Sequence, residues 1–224
     1  MAPKRGRISG DPTNIFGQGG NFIPRKEKHK SYLMGSLRGK ATSGSDILIG
    51  GRLNDFVRFR ARPTVGNIRS ELATGPSFDF GDEKFINFRF RVNSNDDITG
   101  TAYLLQFWQP VISPIAGIRI QNDKIQAVTR SAGGAYSKPL REGKWNTLKM
   151  AFKAGSDGHF KVYNRKGRLL GEVDGTIDGG SLAGRSLRDV WRPKFGFYGS
   201  GSNNLNVDVK RFTITDIAAD IGLG

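Results

Sequence analysis

The segment KFGFYGSGSNN, which begins at Lys194, alternates two kinds of side chain with the period of a β-strand. Lys194, Gly196 and Tyr198 share one side, and Phe195 and Phe197 share the other, because successive side chains of a strand point to opposite faces. One interpretation is a half-buried strand whose polar residues face water. The other is that an ammonium group and a phenol, which bind anions and exchange protons, face a ligand.

Two earlier segments carry further side chains of this chemical kind. NIRSELATGPSFDFGDE holds Arg69 and Glu71 in a predicted strand, and YLLQFWQP holds Gln106 and Trp108, which share a face by the two-residue period. Each segment alone also fits a strand face in water. Whether the three segments form one site depends on the elements that hold them.

Those elements are predicted to be many short strands. From about Asp46 onward, alternating or apolar runs are separated by turn residues: FVRFRAR, FINFRFRV, AGIRIQ, TLKMAFKA, HFKVYN and LNVDVKRFTI. NRKG, between FKVY and RLLGEV, predicts a hairpin turn, and only SLAGRSLRDV favours a short helix. The pattern predicts an all-β fold, a concanavalin-like β-jelly-roll sandwich over residues 46–224, with a concave face for an elongated ligand.

Residues 1–45 differ in composition from the rest. They hold nine Lys or Arg and two acids, are rich in Gly and Ser, and show no sustained period of 2 or 3.6. Such a segment buries too little apolar surface to fold alone. We expect an extended basic N-terminal arm that packs against something else, and we find neither a secretory signal nor an apolar run long enough to span a membrane.

The overall composition narrows the classes of partner and cofactor. The chain has no cysteine, and its two histidines, His29 and His159, are far apart in sequence, so no metal site or other cofactor is expected. The net charge of +15 favours a polyanionic partner. No zinc-knuckle, RNA-recognition or helix-turn-helix pattern accompanies the basic residues, which argues against nucleic acid as the main partner.

Taken together and in order, the three segments resemble a known family. Residues from about Asp55 to Phe212 resemble the heparin-lyase-like polysaccharide lyases and, more distantly, the alginate and glucuronan lyases. The matching motifs are Arg-Ser-Glu-Leu at 69–72, Gln-Phe-Trp at 106–108 and Lys-Phe-Gly-Phe-Tyr at 194–198. This resemblance implies a β-jelly roll that binds and cleaves an acidic, uronate-containing polysaccharide in a groove.

The family's chemistry is β-elimination, in which a base removes the C5 proton of a uronate while its carboxylate is neutralised. The resemblance implies that Tyr198 is the base and then the acid, and that Lys194 lowers its pKa. Gln106 and Arg69 would bind the uronate carboxylate. Glu71 would orient Arg69 through a charge-assisted pair.

One position departs from the family pattern. Where the family places a histidine, this sequence has Trp108, which cannot exchange a proton but can stack on a sugar ring. Asn203, in the loop after the last motif, is a further substrate-binding candidate. The departure leaves three alternatives open: a lyase that uses only its tyrosine, a groove that binds without cleaving, and a structural protein of a virus particle or other assembly. In the third, residues 1–45 join copies of the chain. Taken together, the alternatives leave the location open between the outside of the cell and a virus particle.

Overall fold

The computed structural model describes residues 38–41, 45–50, 56–62, 67–73, 77–94, 100–110, 112–180, 188–200 and 204–224. Most of the described chain forms strands: β1 Arg38–Ala41, β2 Asp46–Gly50, β3 Phe56–Ala61, β4 Asn67–Ala73, β5 Phe78–Asp79, β6 Lys84–Ser94, β7 Thr101–Gln109, β8 Ser113–Gln121, β9 Lys124–Thr129, β10 Gly134–Pro139, β11 Asn146–Lys153, β12 Gly155–Tyr163, β13 Leu169–Ile177, β14 Val190–Ser200 and β15 Leu205–Thr215. A 3-10 turn at Ala218–Ile221 follows them.

The strands form two antiparallel sheets. The eight-stranded sheet has the order β1-β4-β14-β7-β8-β9-β10, with β5 pairing β14 beside this path. The seven-stranded sheet has the order β13-β12-β11-β6-β15-β3-β2. The predicted all-β sandwich is therefore confirmed. Among the described residues, no helix is long and apolar enough to span a membrane.

The two sheets pack through the apolar side of each alternating strand. In β6, the predicted inward set Ile86, Phe88, Phe90 and Val92 is fully buried. Rings from both sheets meet in the core. The ring centroid of Phe152 lies 4.3 Å from that of Phe107 and 4.8 Å from that of Trp191. Aromatic contacts of this kind stabilise the fold by more than the apolar area that they bury. They fix the distance between the sheets.

Strand β14 is anchored by the same packing. Phe195 and Phe197 are buried, and Phe195 stacks on Phe212 of the other sheet at 4.5 Å between ring centroids. Because the phenylalanines point inward, Lys194 and Tyr198 point to the outer face of the eight-stranded sheet. The alternation predicted for this segment is confirmed.

Two sequence predictions fall largely outside the described residues. Residues 1–37 of the predicted arm are not described, while residues 38–41 form β1 and pair with β4. Residues 181–187 of the predicted short helix are likewise not described. The division at residue 45 and the assembly role of the arm stay predictions.

The predicted hairpin turn at Asn164–Gly167 is present. Asn164 Oδ1 accepts hydrogen bonds from the backbone N–H groups of Lys166 (2.8 Å) and Arg168 (3.1 Å), and Gly167 has a φ of 84°. An asparagine side chain that closes a turn on its own backbone stabilises that turn.

Asn164→Ala is expected to destabilise the protein by about 1 kcal/mol, because both of these local hydrogen bonds are lost. The free energy of unfolding in urea is the measurement. Arg165→Ala, at an exposed position of the same turn, is the control. Equal stability of the two variants would show that the asparagine side chain does not stabilise the turn.

Candidate functional site

The register of β4, β14 and β7 brings the three motifs onto one face. Tyr198 lies opposite Arg69, and Lys194 lies opposite Gln106. Glu71 pairs with Gly196 on the other side of β14. Residues at such paired positions have neighbouring side chains. Segments that are 35 to 130 residues apart in the sequence therefore meet on the outer face of the eight-stranded sheet.

Glu71 is at the centre of this group. Its carboxylate is almost fully buried and accepts a hydrogen bond of 2.9 Å from Gln106 Nε2. Arg69 Nε lies 3.3 Å from one carboxylate oxygen, and Lys194 Nζ lies 4.0 Å from the same oxygen. Buried charges require partners of this kind. The orienting role of Glu71 stays a prediction. The predicted carboxylate-binding groups Gln106 and Arg69 both lie against a carboxylate of the protein itself.

Trp108 contacts two cations on this face. Lys194 Nζ lies 3.9 Å from its ring centroid, and Arg192 Cζ lies 4.7 Å away. The ring quadrupole attracts such cations. Arg192 was missed by the sequence analysis, although it precedes Lys194 by two residues and so shares its face. Its Nε is buried without a hydrogen-bond partner among the described residues.

Tyr198 has a separate set of neighbours. Arg69 Cζ lies 5.0 Å from its ring centroid, and Asn67 Nδ2 donates to its hydroxyl at 3.3 Å. Tyr103 is its partner in register across to β7. The cation over the phenol is therefore Arg69, whereas Lys194 is directed to Trp108 and Glu71. Asn67 and Tyr103 were not singled out in the sequence; Asn67 precedes Arg69 by two residues, which was the available signal.

Gly196, between Lys194 and Tyr198, is required by the close approach of β4. Its φ is +128°, and a Cβ there would lie 2.4 Å from the Ser70 carbonyl oxygen and 2.6 Å from a ring carbon of Phe59. No L side chain fits that space. The pairing of β14 with β7 also shifts at this point. Between Lys194 and Tyr198, β14 has one residue more than the paired stretch of β7.

Of the remaining residues named in the sequence analysis, only His159 is among the described residues. His159 lies on the outer face of the seven-stranded sheet and contacts Glu83 Oε1 at 2.6 Å through Nε2. The sandwich core separates it from Tyr198, because it belongs to the opposite sheet. Asn203 and His29 lie outside the described residues. Within the described part of the chain, no group of His, Asp and Glu side chains is arranged to hold a metal ion.

Comparison with known proteins places the fold. No known family profile and no curated protein matches the sequence. Solved structures do match the fold. An alginate lyase of polysaccharide lyase family 7 aligns with 74% of this chain and 80% of its own at 15% identity and a TM-score of 0.55. An endo-β-1,4-glucuronan lyase from the fungus Trichoderma reesei aligns with 88% and 96% at 16% identity and a TM-score of 0.56.

The fold is not confined to lyases. A botulinum neurotoxin binding domain, solved with rat synaptotagmin II, aligns with 83% of this chain and 45% of its own at 12% identity and a TM-score of 0.53. Identities this low establish a shared jelly roll and no more. The lyase part of the predicted resemblance agrees with this fold at the level of the alginate and glucuronan lyases, and the heparin-lyase-like branch stays a prediction.

Proposed function

We propose that the outer face of the eight-stranded sheet binds an acidic, uronate-containing polysaccharide. The observation that carries the proposal is the group built around Glu71, in which Arg69, Lys194 and Arg192 surround one carboxylate and one indole. Three cations and one carboxylate give this group a net positive charge. A strand face of several residues suits an extended polymer, and polar groups held by a rigid sheet are preorganised for binding.

Three features support the choice of ligand. The Arg-Ser-Glu-Leu, Gln-x-Trp and Lys-x-Gly-x-Tyr motifs of the sequence meet on one face, as the resemblance to polysaccharide lyases requires. The fold is also similar to that of an alginate lyase and a glucuronan lyase. The basic composition, with a net charge of +15, suits a polyanion.

The test is the affinity of the full chain for alginate, glucuronan, heparin and hyaluronan, measured by calorimetry. We expect saturable binding to at least one polymer that weakens with added salt. Lys194→Gln is expected to weaken this binding about ten- to a hundredfold, since a hydrogen bond to a charged group contributes about 1.5–3 kcal/mol. Lys166→Gln, an exposed lysine in the remote β12–β13 turn, is the control.

Absence of binding to all four polymers would overturn the proposal. Equal affinities of Lys194→Gln and Lys166→Gln would also overturn it, since the ligand would then lie elsewhere on this basic protein.

A second candidate function is β-eliminative cleavage of the same polymer, favoured by the surroundings of Tyr198. Asn67 donates a hydrogen bond to its hydroxyl, and Arg69 lies over its ring, so the side chain is held in place at the sheet surface. As the base, the Tyr198 oxygen would take the C5 proton of the uronate, the C4–O4 bond would break with formation of a C4–C5 double bond, and the proton would pass to the leaving O4. Trp108, in place of the family's histidine, would hold a sugar ring and the two cations.

A further inference from the structure

A second basic site lies at one end of the sandwich. A pocket of about 660 Å³ opens between the end of β10 and the start of β11, and its lining includes Lys138, Arg141, Lys144, Trp145, Asn146 and Thr147. This volume is in the range of pockets that take small ligands or one or two units of a polymer.

The charge of this pocket is unbalanced. Three of its lining side chains are cationic, and the one acid between residues 138 and 147 is Glu142, which is exposed and does not line the pocket. Burial lowers the pKa of the Lys138 ammonium group, and the charge of Arg141 lowers it further. An anion placed between these groups would relieve their repulsion.

One wall of the pocket is fixed by the seven-stranded sheet. The Trp145 ring is contacted by the guanidinium groups of Arg91 and Arg89, at 4.7 and 5.5 Å from its centroid. Arg91 is itself held by the buried carboxylate of Asp208. Because two guanidinium groups already contact this ring, stacking of a nucleobase on it is disfavoured. A ligand that presents oxyanions to the lysines and to Arg141 is favoured.

This pocket is separate from the face around Glu71. Its wall residue Trp145 packs against arginines on the outer face of the seven-stranded sheet, whereas Lys194 and Tyr198 lie on the outer face of the eight-stranded sheet. Lys138, on the other wall of the pocket, belongs to β10, and β7, β8 and β9 separate β10 from β14 in the eight-stranded sheet. The pocket is therefore distinct from the group around Glu71.

We propose that the pocket around Lys138, Arg141 and Lys144 binds a carboxylated or sulfated saccharide unit, as a second and independent site for an acidic polysaccharide. The saccharide class rests on the proposed function; the preference for an anion rests on the pocket alone. Neither residues 1–45, with a net charge of +7, nor a second copy, with +15, offers the complementary charge.

The test uses the tryptophans as separate reporters in the full chain. Trp191 is fully buried, so Trp108→Phe leaves Trp145 to report on the pocket, and Trp145→Phe leaves Trp108 to report on the face. Each variant is titrated with a glucuronate trisaccharide, a heparin-derived tetrasaccharide and a single-stranded DNA 10-mer, and its emission is recorded. Circular dichroism establishes that each variant is folded.

We expect a saturable Trp145 signal with at least one of the two saccharides. Adding Lys138→Gln and Arg141→Gln should weaken this binding at least tenfold. Adding Lys166→Gln and Arg165→Gln instead, a matched pair in the exposed β12–β13 turn, should leave it unchanged. A tighter response to the trisaccharide assigns a carboxylate ligand, and a tighter response to the tetrasaccharide assigns a sulfated one.

Three results would overturn the proposal: no saturable Trp145 signal with either saccharide, equal affinities of the pocket pair and the control pair, or tighter binding of the DNA than of both saccharides. The proposed function fails separately. Suppose that the saccharides change the Trp145 emission of the Trp108→Phe protein but not the Trp108 emission of the Trp145→Phe protein. Binding at the face would then be refuted, and binding in the pocket would remain supported.

Discussion

Tyr198→Phe is expected to lower the rate of β-elimination on uronate polymers by a factor of about 10²–10⁴, the usual contribution of a positioned acid or base. The substitution removes only the hydroxyl that would accept the C5 proton. Arg69 can still contact the remaining ring, and the cations that bind the polymer are unchanged. Binding affinity is therefore expected to stay within about twofold, since no charge is removed. The measurement is the ultraviolet absorbance of the unsaturated uronate product.

Tyr103→Phe is the matched control for this experiment. Tyr103 lies beside Tyr198 in register on the same face and is also half-buried, so Tyr103→Phe tests the general effect of removing a hydroxyl there. Equal rates for the Tyr198→Phe and unsubstituted proteins would exclude Tyr198 as the base. Absence of product from the unsubstituted protein, with binding intact, would exclude cleavage and leave the proposed binding function standing.

Asp208→Asn is expected to destabilise the fold by about 3–5 kcal/mol, the cost of removing one partner from a buried ion pair. Asp208 is fully buried, and its carboxylate accepts hydrogen bonds from Arg58 at 2.6 and 2.9 Å and from Arg91 at 2.7 and 3.1 Å. The hydrogen bond to Asp208 raises the pKa of the Arg58 guanidinium, and the variant loses this stabilisation of the charged form. Arginine side chains nevertheless stay protonated in proteins. The amide of asparagine cannot neutralise them.

The measurement is the free energy of unfolding in urea at neutral pH. Asp174→Asn, an exposed carboxylate on β13 of the same sheet, is the control, and its stability should change by less than about 0.5 kcal/mol. A loss below about 1 kcal/mol in Asp208→Asn would mean that solvent reaches the arginines and compensates for the missing charge.

Much of the fold was readable from the sequence because its strands alternate strictly. Phe88 and Phe90 alternate with Arg89 and Arg91, and this pattern identified both the strand and its buried side. The turn at Asn164 was readable because its residues favour a specific local geometry. The pairing of β15 with β3 and β6 was not readable, since periodicity gives the face of each strand and not its neighbour in the sheet.

The site was predictable in part for the same reason. Period 2 placed Lys194 with Tyr198 and Gln106 with Trp108, and the order of the motifs suggested that they meet. The sequence pattern could not show that Gln106 donates a hydrogen bond to Glu71. That contact depends on how two strands 35 residues apart are aligned in the sheet. The pocket around Lys138 was missed altogether. Its residues come from a strand end and a loop, where no period organises the side chains.

The sheet order has a consequence for how the chain acquires this site. Strand β4, near the start of the described domain, takes β14 as its inner neighbour, and β3 takes β15, so each pairing spans more than 100 residues. Contacts this distant in sequence require the closure of large loops and slow the folding of a chain. During synthesis at the ribosome, the strand that carries Arg69 and Glu71 cannot pair with β14 until residues near 200 have emerged. A nascent chain would expose β3 and β4 meanwhile, and chaperones that shield unpaired strand edges are expected to raise the yield of folded protein.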